Sequence, residues 1–229
     1  MKKLILSYFL ITFWLFASSQ SIASATLDIL TGRFDPKEHP AFVKIPDRFT
    51  DNSEMYVRTE VLNAFKRMYA DARKDGIKLF IVSATRTFYR QAEIWDYKWD
   101  KGTGIRAYRA ATILQYSSMP GTSRHHWGTD IDLCSTENED WDTPELQKAL
   151  AWLQLHAAEY GFFMPYTDDP NRPGYKYEPW HWSYFPISDI YTETYRNTIT
   201  NHDLYGFRGY TAARQLNVIS DYVLGIASH

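Results

Sequence analysis

A short stretch near the middle of the chain is rich in metal-binding side chains. Residues 123–132 read Ser-Arg-His-His-Trp-Gly-Thr-Asp-Ile-Asp, with two imidazoles and two carboxylates around one glycine. A second cluster, Glu178-Pro-Trp-His181-Trp, follows downstream. A catalytic zinc usually takes three protein ligands from His, Asp, Glu or Cys and keeps a fourth position for water. Two ligands from the first cluster and one from the second would complete such a site and leave Glu178 as a base.

The alternation of residues 129–134 predicts a strand that presents carboxylates on one face. Alternate residues of a strand share a face, so Asp130, Asp132 and Cys134 point one way and the apolar residues between them point into the core. Cys134 therefore has the face of a ligand. A buried, inert thiol is the more common role of a lone cysteine, and we interpret Cys134 in that way.

The residues alone leave the choice of ligands in the first cluster open. A turn at Gly128 would let the preceding loop fold back, so that either His125 or His126 reaches the strand. Asp130 and Asp132 are alternatives in the same way. The unused member of each pair would be a hydrogen-bonding neighbour.

The second cluster has the spacing of a ligand and a base. Glu178 and His181 are three residues apart, so a zinc-bound His181 leaves Glu178 one turn away from the metal. A metal lowers the pKa of its water toward ~7, and a carboxylate can then take the proton during attack on a carbonyl. The alternative is a surface glutamate beside a core histidine.

A third candidate, Arg86, lies just past a predicted buried strand at residues 77–84. Its guanidinium could clamp a carboxylate through two hydrogen bonds or stabilise an oxyanion. The alternative is a salt bridge, for example to Glu93. Gln91 and Tyr89 begin the next helix and could line the same pocket.

Short helices and strands in irregular order would position these side chains. Residues 26–52 are predicted to form an extended lead-in, and Asn52 or Ser53 is a candidate helix cap. Periodicity predicts helices at 53–75, 87–101, 105–116, 143–160, 188–200 and 211–224, and strands at 77–84, 129–134 and 180–184. Helices and strands that mix without a βαβ rhythm favour an α+β fold.

The first 25 residues have the plan of a signal peptide. A basic start, an apolar run over residues 4–17 and Ala23-Ser24-Ala25 form the usual export pattern. The run is shorter than the ~20 residues that span a bilayer, so we predict cleavage and no stable membrane anchor. The mature chain, residues 26–229, is predicted to be a single domain in the periplasm or extracellular space.

Composition narrows the classes of partner. The net charge is −2 and no basic run occurs, which argues against a nucleic-acid partner. The single cysteine cannot form an internal disulfide, so an exported chain must rely on its core or a metal for stability. Aromatic residues make up 17% of the chain and suit either a core or a surface that binds sugar-peptide material.

Three separated motifs together resemble those of the zinc D-alanyl-D-alanine carboxypeptidases of the vancomycin-resistance type. The resemblance covers about residues 54–187, and the wider group includes the hedgehog signalling domain and lysostaphin-type peptidases. In chain order the motifs are Ser83-x-x-Arg86, then Pro120-Gly121-x-Ser123-x-His125-x-x-Gly128-x-Asp130-x-Asp132, then Glu178-x-x-His181-Trp182.

The resemblance implies a small antiparallel sheet that carries zinc and is flanked by helices. The helices predicted in residues 188–229 have no counterpart in the motifs and form an additional extension. It also implies roles for single residues. Arg86 would contact the substrate or its oxyanion, and Ser123 would help to hold the substrate's terminal carboxylate. The implied zinc ligands are His125, Asp132 and His181, with Glu178 as the general base.

The chain departs from the family pattern at Asp130, where many members have a small or apolar residue. We expect this carboxylate either to accept a hydrogen bond behind the metal or to pair with Arg86. Together with Gln91 it is counted among the predicted substrate-binding residues.

The predicted function is an exported zinc carboxypeptidase that removes a terminal D-amino acid, D-alanine, from peptidoglycan stem peptides. A rival hypothesis within enzymes is an endopeptidase of the same zinc fold. Two rival hypotheses without catalysis are a zinc-bearing module that binds the cell wall and an aromatic wall-binding surface without metal. The sequence leaves the choice between a D,D and an L,D bond open.

Overall fold

A computed structural model describes residues 26–51 and 54–228. The predicted signal peptide, residues 1–25, and the predicted helix cap at Asn52 or Ser53 lie outside the described residues. Within the described ranges, no helix combines the length and apolar character needed to cross a bilayer.

Helices surround two small antiparallel sheets, which confirms the predicted α+β class. The larger sheet has the strand order β3-β4-β6-β5, and β1 pairs with β2 in the smaller one. The strands are β1 (Phe42–Lys44), β2 (Tyr56–Arg58), β3 (Ile81–Ser83), β4 (Asp130–Leu133), β5 (Phe162–Phe163) and β6 (His181–Tyr184). The α-helices are α1 (Thr26–Thr31), α2 (Thr59–Lys74), α3 (Phe88–Lys101), α4 (Arg106–Ile113), α5 (Pro144–His156) and α6 (Phe185–Thr198).

The register of the larger sheet brings the two sequence clusters together. Strand β4 lies between β3 and β6, and Asp132 pairs directly with His181 on β6 and with Ser83 on β3. Cβ atoms of directly opposite residues in an antiparallel pair lie about 5 Å apart. Side chains that are distant in sequence therefore meet at one point of the sheet.

The amino-terminal part of the described chain differs from the prediction. The helix expected over residues 53–75 begins only at Thr59, because Tyr56–Arg58 forms a strand that pairs with Phe42–Lys44. The expected extended lead-in supplies that partner strand and also contains helix α1. The long-range pairing overrides the helical periodicity of the first turn.

Two further elements differ from expectation. Only Ile81–Ser83 of the strand predicted at 77–84 pairs in the sheet, where the register with β4 shifts. Helix α6 confirms the first predicted carboxyl-terminal helix. The second, at 211–224, is instead a 3-10 turn at Tyr210–Ala212 and a π-helix at Val218–Val223. Asn217, with φ 49°, interrupts the segment between them in a left-handed conformation.

Two hydrophobic clusters meet at the segment that carries the first motif. Ile131 and Leu133 on β4 pack into a cluster formed with α2 and α5. Trp127 packs into a second cluster formed with α3, α4 and the carboxyl-terminal residues. Tyr195 of α6 belongs to this second cluster and donates a hydrogen bond to the Gly121 carbonyl at 2.8 Å. Packing on both sides therefore fixes the motif segment.

Gly128 turns the chain between the first histidines and β4. Its φ is +69°, and an added Cβ would lie 2.2 Å from Cε1 of Phe42. We expect Gly128→Ala to lower the free energy of unfolding by about 2–4 kcal/mol, from left-handed strain and overpacking together. Thermal or denaturant unfolding measures the change.

Gly76→Ala is the matched control for this prediction. Its φ is +76°, but no atom lies within 4 Å of an added Cβ. The control carries the backbone strain alone, expected to be about 1 kcal/mol. Equal losses in the two variants would show that the contact with Phe42 does not constrain the turn.

Candidate active site

Three buried side chains converge on one point of the larger sheet. One ligand atom from each of His125, Asp132 and His181 lies within 4.8 Å of the other two. Asp132 Oδ1 is 3.2 Å from Nε2 of His125 and 3.3 Å from Nδ1 of His181. Two imidazole nitrogens and one carboxylate oxygen form a donor set able to hold a metal ion.

The remaining ring nitrogens orient these donors. Nδ1 of His125 lies 2.9 Å from the Ala84 carbonyl, so this nitrogen carries the proton and leaves the Nε2 lone pair free. Nε2 of His181 donates to Asp130 Oδ2 at 2.8 Å, so Nδ1 is the ring nitrogen that faces Asp132 and Glu178. Among the described residues, His125 Nε2 and Asp132 Oδ1 are buried without a hydrogen-bond partner. A cation would satisfy both atoms.

His126 has no nitrogen to offer a metal. Its Nδ1 donates to the Arg86 carbonyl at 2.6 Å, and its Nε2 accepts from the Gly121 backbone N–H at 3.0 Å. Burial lowers the pKa of His126 to about 3, so the ring is neutral. His126 thereby links the loops that contain Arg86 and Gly121. Of the two candidate histidines, His125 is therefore the one with a nitrogen able to bind a metal.

Asp130 is also engaged completely by protein. It is fully buried, pairs with Arg124 at 3.0 Å and accepts the hydrogen bond from His181. The structure thus corrects the prediction that Asp130 binds substrate or pairs with Arg86. Of the expected alternatives, the geometry matches an acceptor behind a candidate metal ligand.

The protonation states suit a cation at the convergence point. Burial, reinforced by Arg86, lowers the pKa of His125 to about 4, and metal ligation requires a neutral imidazole. Burial disfavours a charge on His181, but hydrogen bonds to Asp130, Asp132 and Glu178 outweigh it and raise its pKa well above the usual value. The carboxylates of Asp130, Asp132 and Glu178 therefore stabilise a positive charge at His181. Either a proton on the ring or a metal ion can supply that charge.

Glu178 lies beside the three donors. Its Oε2 is 3.4 Å from His181 Nδ1, and the turn that places it closes with a hydrogen bond from the His181 N–H to the Glu178 carbonyl. Burial raises the pKa of Glu178, and its contact with His181 offsets part of that rise. A carboxylate with a raised pKa is a better proton acceptor than an ordinary surface glutamate.

An open cleft of about 880 Å³ leads to this group, and Asp132, Glu178 and Arg86 line it. Arg86 donates to Gln91 Oε1 at 3.1 Å and lies 3.6 Å from Asp132 Oδ2. Its Nε is buried and has no hydrogen-bond partner within the described part of the chain. The alternative salt bridge forms with Asp132 and not with Glu93, which pairs with Arg90.

The other predicted pocket residues lie behind or outside the cleft lining. Gln91 is fully buried, and it holds Arg86 while it donates to the Ser118 carbonyl at 2.8 Å. Ser123 is buried, and its Oγ has no hydrogen-bond partner among the described residues. Tyr89 is 69% exposed and does not line the cleft.

Cys134 turns away from the predicted ligand face. It follows β4 with φ 66°, and its side chain packs into the first hydrophobic cluster. Its thiol is 3.7 Å from the Lys78 carbonyl, and burial raises the thiol pKa to about 11. The thiol is therefore inert and distinct from the three converging donors.

Sequence reasoning did not identify several polar residues around the site. Lys98 lines the cleft, Arg124 and Ser183 contact Asp130, and Thr192 contacts Arg124. One signal was available: a carboxylate in a buried strand requires a cation, and Arg124 is the nearest basic residue in the chain. No local pattern marks Thr192, which lies on a later helix.

The molecule is thus an α+β protein with a candidate metal centre. The centre consists of a buried His-Asp-His group beside the carboxylate of Glu178. Residues 54–187 match the sequence model of the VanY D-alanyl-D-alanine carboxypeptidase family. The match covers more than half of the chain, so the chain belongs to this family. The resemblance predicted from the three motifs is thereby confirmed.

Individual relatives give the same family. The chain is 31% identical over 166 residues to YodJ of Bacillus subtilis (strain 168), a match that covers 68% of this chain and 56% of YodJ. It is 30% identical over 165 residues to VanXYC of Enterococcus gallinarum, named a bifunctional D-Ala-D-Ala dipeptidase and D-Ala-D-Ala carboxypeptidase, with 68% and 80% of the two chains covered. The solved structure of the LdcB LD-carboxypeptidase is similar with a TM-score of 0.53 and 27% identity, covering 71% of this chain and 76% of that one.

Proposed function

We propose that the chain is an exported zinc carboxypeptidase that removes a terminal D-amino acid, D-alanine, from peptidoglycan stem peptides. The observation that carries the proposal is the convergence of the donors of His125, Asp132 and His181 beside Glu178 at an open cleft. Membership of the carboxypeptidase family and the export pattern of residues 1–25 support it.

The chain's own groups have separate tasks in this reaction. His125, Asp132 and His181 would hold zinc, which would supply Lewis-acid polarisation of the peptide carbonyl and acidify water. Glu178 accepts the proton of the attacking water and then donates it to the leaving amine. Arg86 binds either the terminal carboxylate or the developing oxyanion through its guanidinium. The cleft is large enough for the end of a peptide, since small-molecule sites typically measure about 300–1,000 Å³.

Product analysis on defined stem peptides tests the proposal. Purified protein with zinc is incubated with a pentapeptide and a tetrapeptide stem, with and without a chelator. Release of D-alanine from the pentapeptide indicates a D,D bond, and release from the tetrapeptide indicates an L,D bond. Internal fragments would instead establish the endopeptidase hypothesis, and zinc binding without any cleavage would establish a binding module.

Arg86→Lys tests the role of the guanidinium. We expect kcat/KM to fall by about ten- to a hundredfold, because lysine keeps the charge but loses the planar fork that pairs with a carboxylate or oxyanion. Steady-state release of D-alanine measures the effect. Arg90→Lys is the control, since Arg90 lines the same cleft and is already paired with Glu93. Equal effects of the two changes would contradict a specific role for Arg86.

A further inference from the structure

We propose that Asp130, Arg124 and Thr192 act as positioning residues for His181, and that they couple helix α6 to the metal centre. The inference rests on the proposed zinc site. It assigns a task to a carboxylate that departs from the family pattern and to a helix that lies largely beyond the matched residues 54–187.

The carboxylate of Asp130 is saturated by four donors. Oδ2 accepts from His181 Nε2 at 2.8 Å and from Arg124 Nε at 3.0 Å. Oδ1 accepts from the hydroxyls of Thr129 at 2.6 Å and Ser183 at 2.9 Å. No lone pair is left for a substrate, and the residue is fully buried. Among the three candidate metal ligands, Asp130 contacts His181 through this hydrogen bond.

Arg124 fixes Asp130 in turn. The guanidinium is buried and lies over the ring of Trp127, 4.7 Å from its centroid. Nη2 donates to Ser183 Oγ at 2.8 Å, and Nη1 donates to Thr192 Oγ1 at 2.9 Å. A buried guanidinium with three directed hydrogen bonds has a single orientation. Arg124 therefore holds Asp130 in one position.

Thr192 places the end of this chain of contacts on α6. Its hydroxyl accepts from Arg124 and donates to the Ser188 carbonyl at 2.8 Å, within the same helix. The path from α6 to the candidate ligand is thus a continuous series of hydrogen bonds through Arg124 and Asp130. A partner that binds the rear nitrogen of a ligating histidine fixes the tautomer and the ring orientation.

Zinc affinity, measured by competition with a chromophoric chelator, tests the inference. We expect Asp130→Asn to weaken zinc binding by about ten- to a hundredfold, because an amide accepts more weakly and leaves Arg124 uncompensated. Thr192→Val removes only the far acceptor and should weaken binding by a smaller factor, about two- to tenfold. At saturating zinc, kcat should fall in Asp130→Asn while KM stays unchanged.

Thr194→Val is the matched control on the same helix. Thr194 makes the same type of bond to a backbone carbonyl, to Ile190 at 2.7 Å, and is only half-buried. Its zinc affinity should equal that of the unaltered chain. If Asp130→Asn fails to fold, Thr192→Val and Thr194→Val still decide the question.

The possible failures are distinguishable. Unaltered zinc affinity in Asp130→Asn and Thr192→Val, in a chain that binds zinc and cleaves peptide, would overturn the positioning role alone. A chain that binds no zinc before any substitution would overturn the proposed function and this inference together.

Discussion

Glu178→Gln is expected to lower kcat for D-alanine release by about a thousandfold, while zinc affinity stays close to that of the unaltered chain. Glutamine keeps the size and the hydrogen-bonding capacity of the side chain but cannot accept the proton of the attacking water. General acid–base groups typically contribute about 10²- to 10⁴-fold to a rate, and a thousandfold loss lies in the middle of this range. The Glu178 carboxylate lies 3.4 Å from Nδ1 of His181, and glutamine has nearly the same size, so the replacement fits the same position.

Glu137→Gln is the control for this effect. Glu137 lines the same cleft but is not one of the groups close to the three donors. Its replacement changes the charge of the cleft equally, so it separates a general electrostatic effect from proton transfer. A Glu178→Gln variant that retains full activity would remove Glu178 from the mechanism and require a different base.

The sequence predicts the candidate site better than it predicts the elements around it. Residue chemistry alone leaves His125 against His126 and Asp130 against Asp132 undecided, because the discriminating partners are backbone groups and residues far away in the chain. The Arg86 carbonyl and the Gly121 N–H occupy His126. The family motif marks the positions of the zinc ligands in folded relatives. The resemblance could therefore point to His125 and Asp132 where periodicity left the choice open.

The missed elements share one physical cause. The strand at Tyr56–Arg58 exists because Phe42–Lys44 lies beside it, with Val43 opposite Val57. Strand formation depends on a partner, so a local apolar pattern that is compatible with a helix cannot reveal it. The same holds for Thr192, whose importance depends on a contact with Arg124, 68 positions away. By contrast, the cap at Thr143 followed by Pro144 is a local signal, and helix α5 begins there.

Removal of zinc is expected to abolish D-alanine release, and readdition of zinc should restore it. Zinc should also stabilise the fold, because a ligand that binds only the native state contributes about 4 kcal/mol at a thousandfold excess over its Kd. For a chain of this size that corresponds to a rise in Tm of roughly 10 °C. Thermal unfolding with and without zinc, combined with activity measurements, checks both expectations.

Asp132→Asn should eliminate both responses, because Asp132 supplies the anionic donor of the group and lies between the two imidazole nitrogens. Cys134→Ala is the matched control for a neighbouring residue with ligand chemistry. Its thiol faces the core, so the zinc-dependent rise in Tm should persist in this variant. If Asp132→Asn kept the zinc response and Cys134→Ala lost it, the metal would have to bind elsewhere, and the hydrolytic role built on the three converging donors would no longer stand.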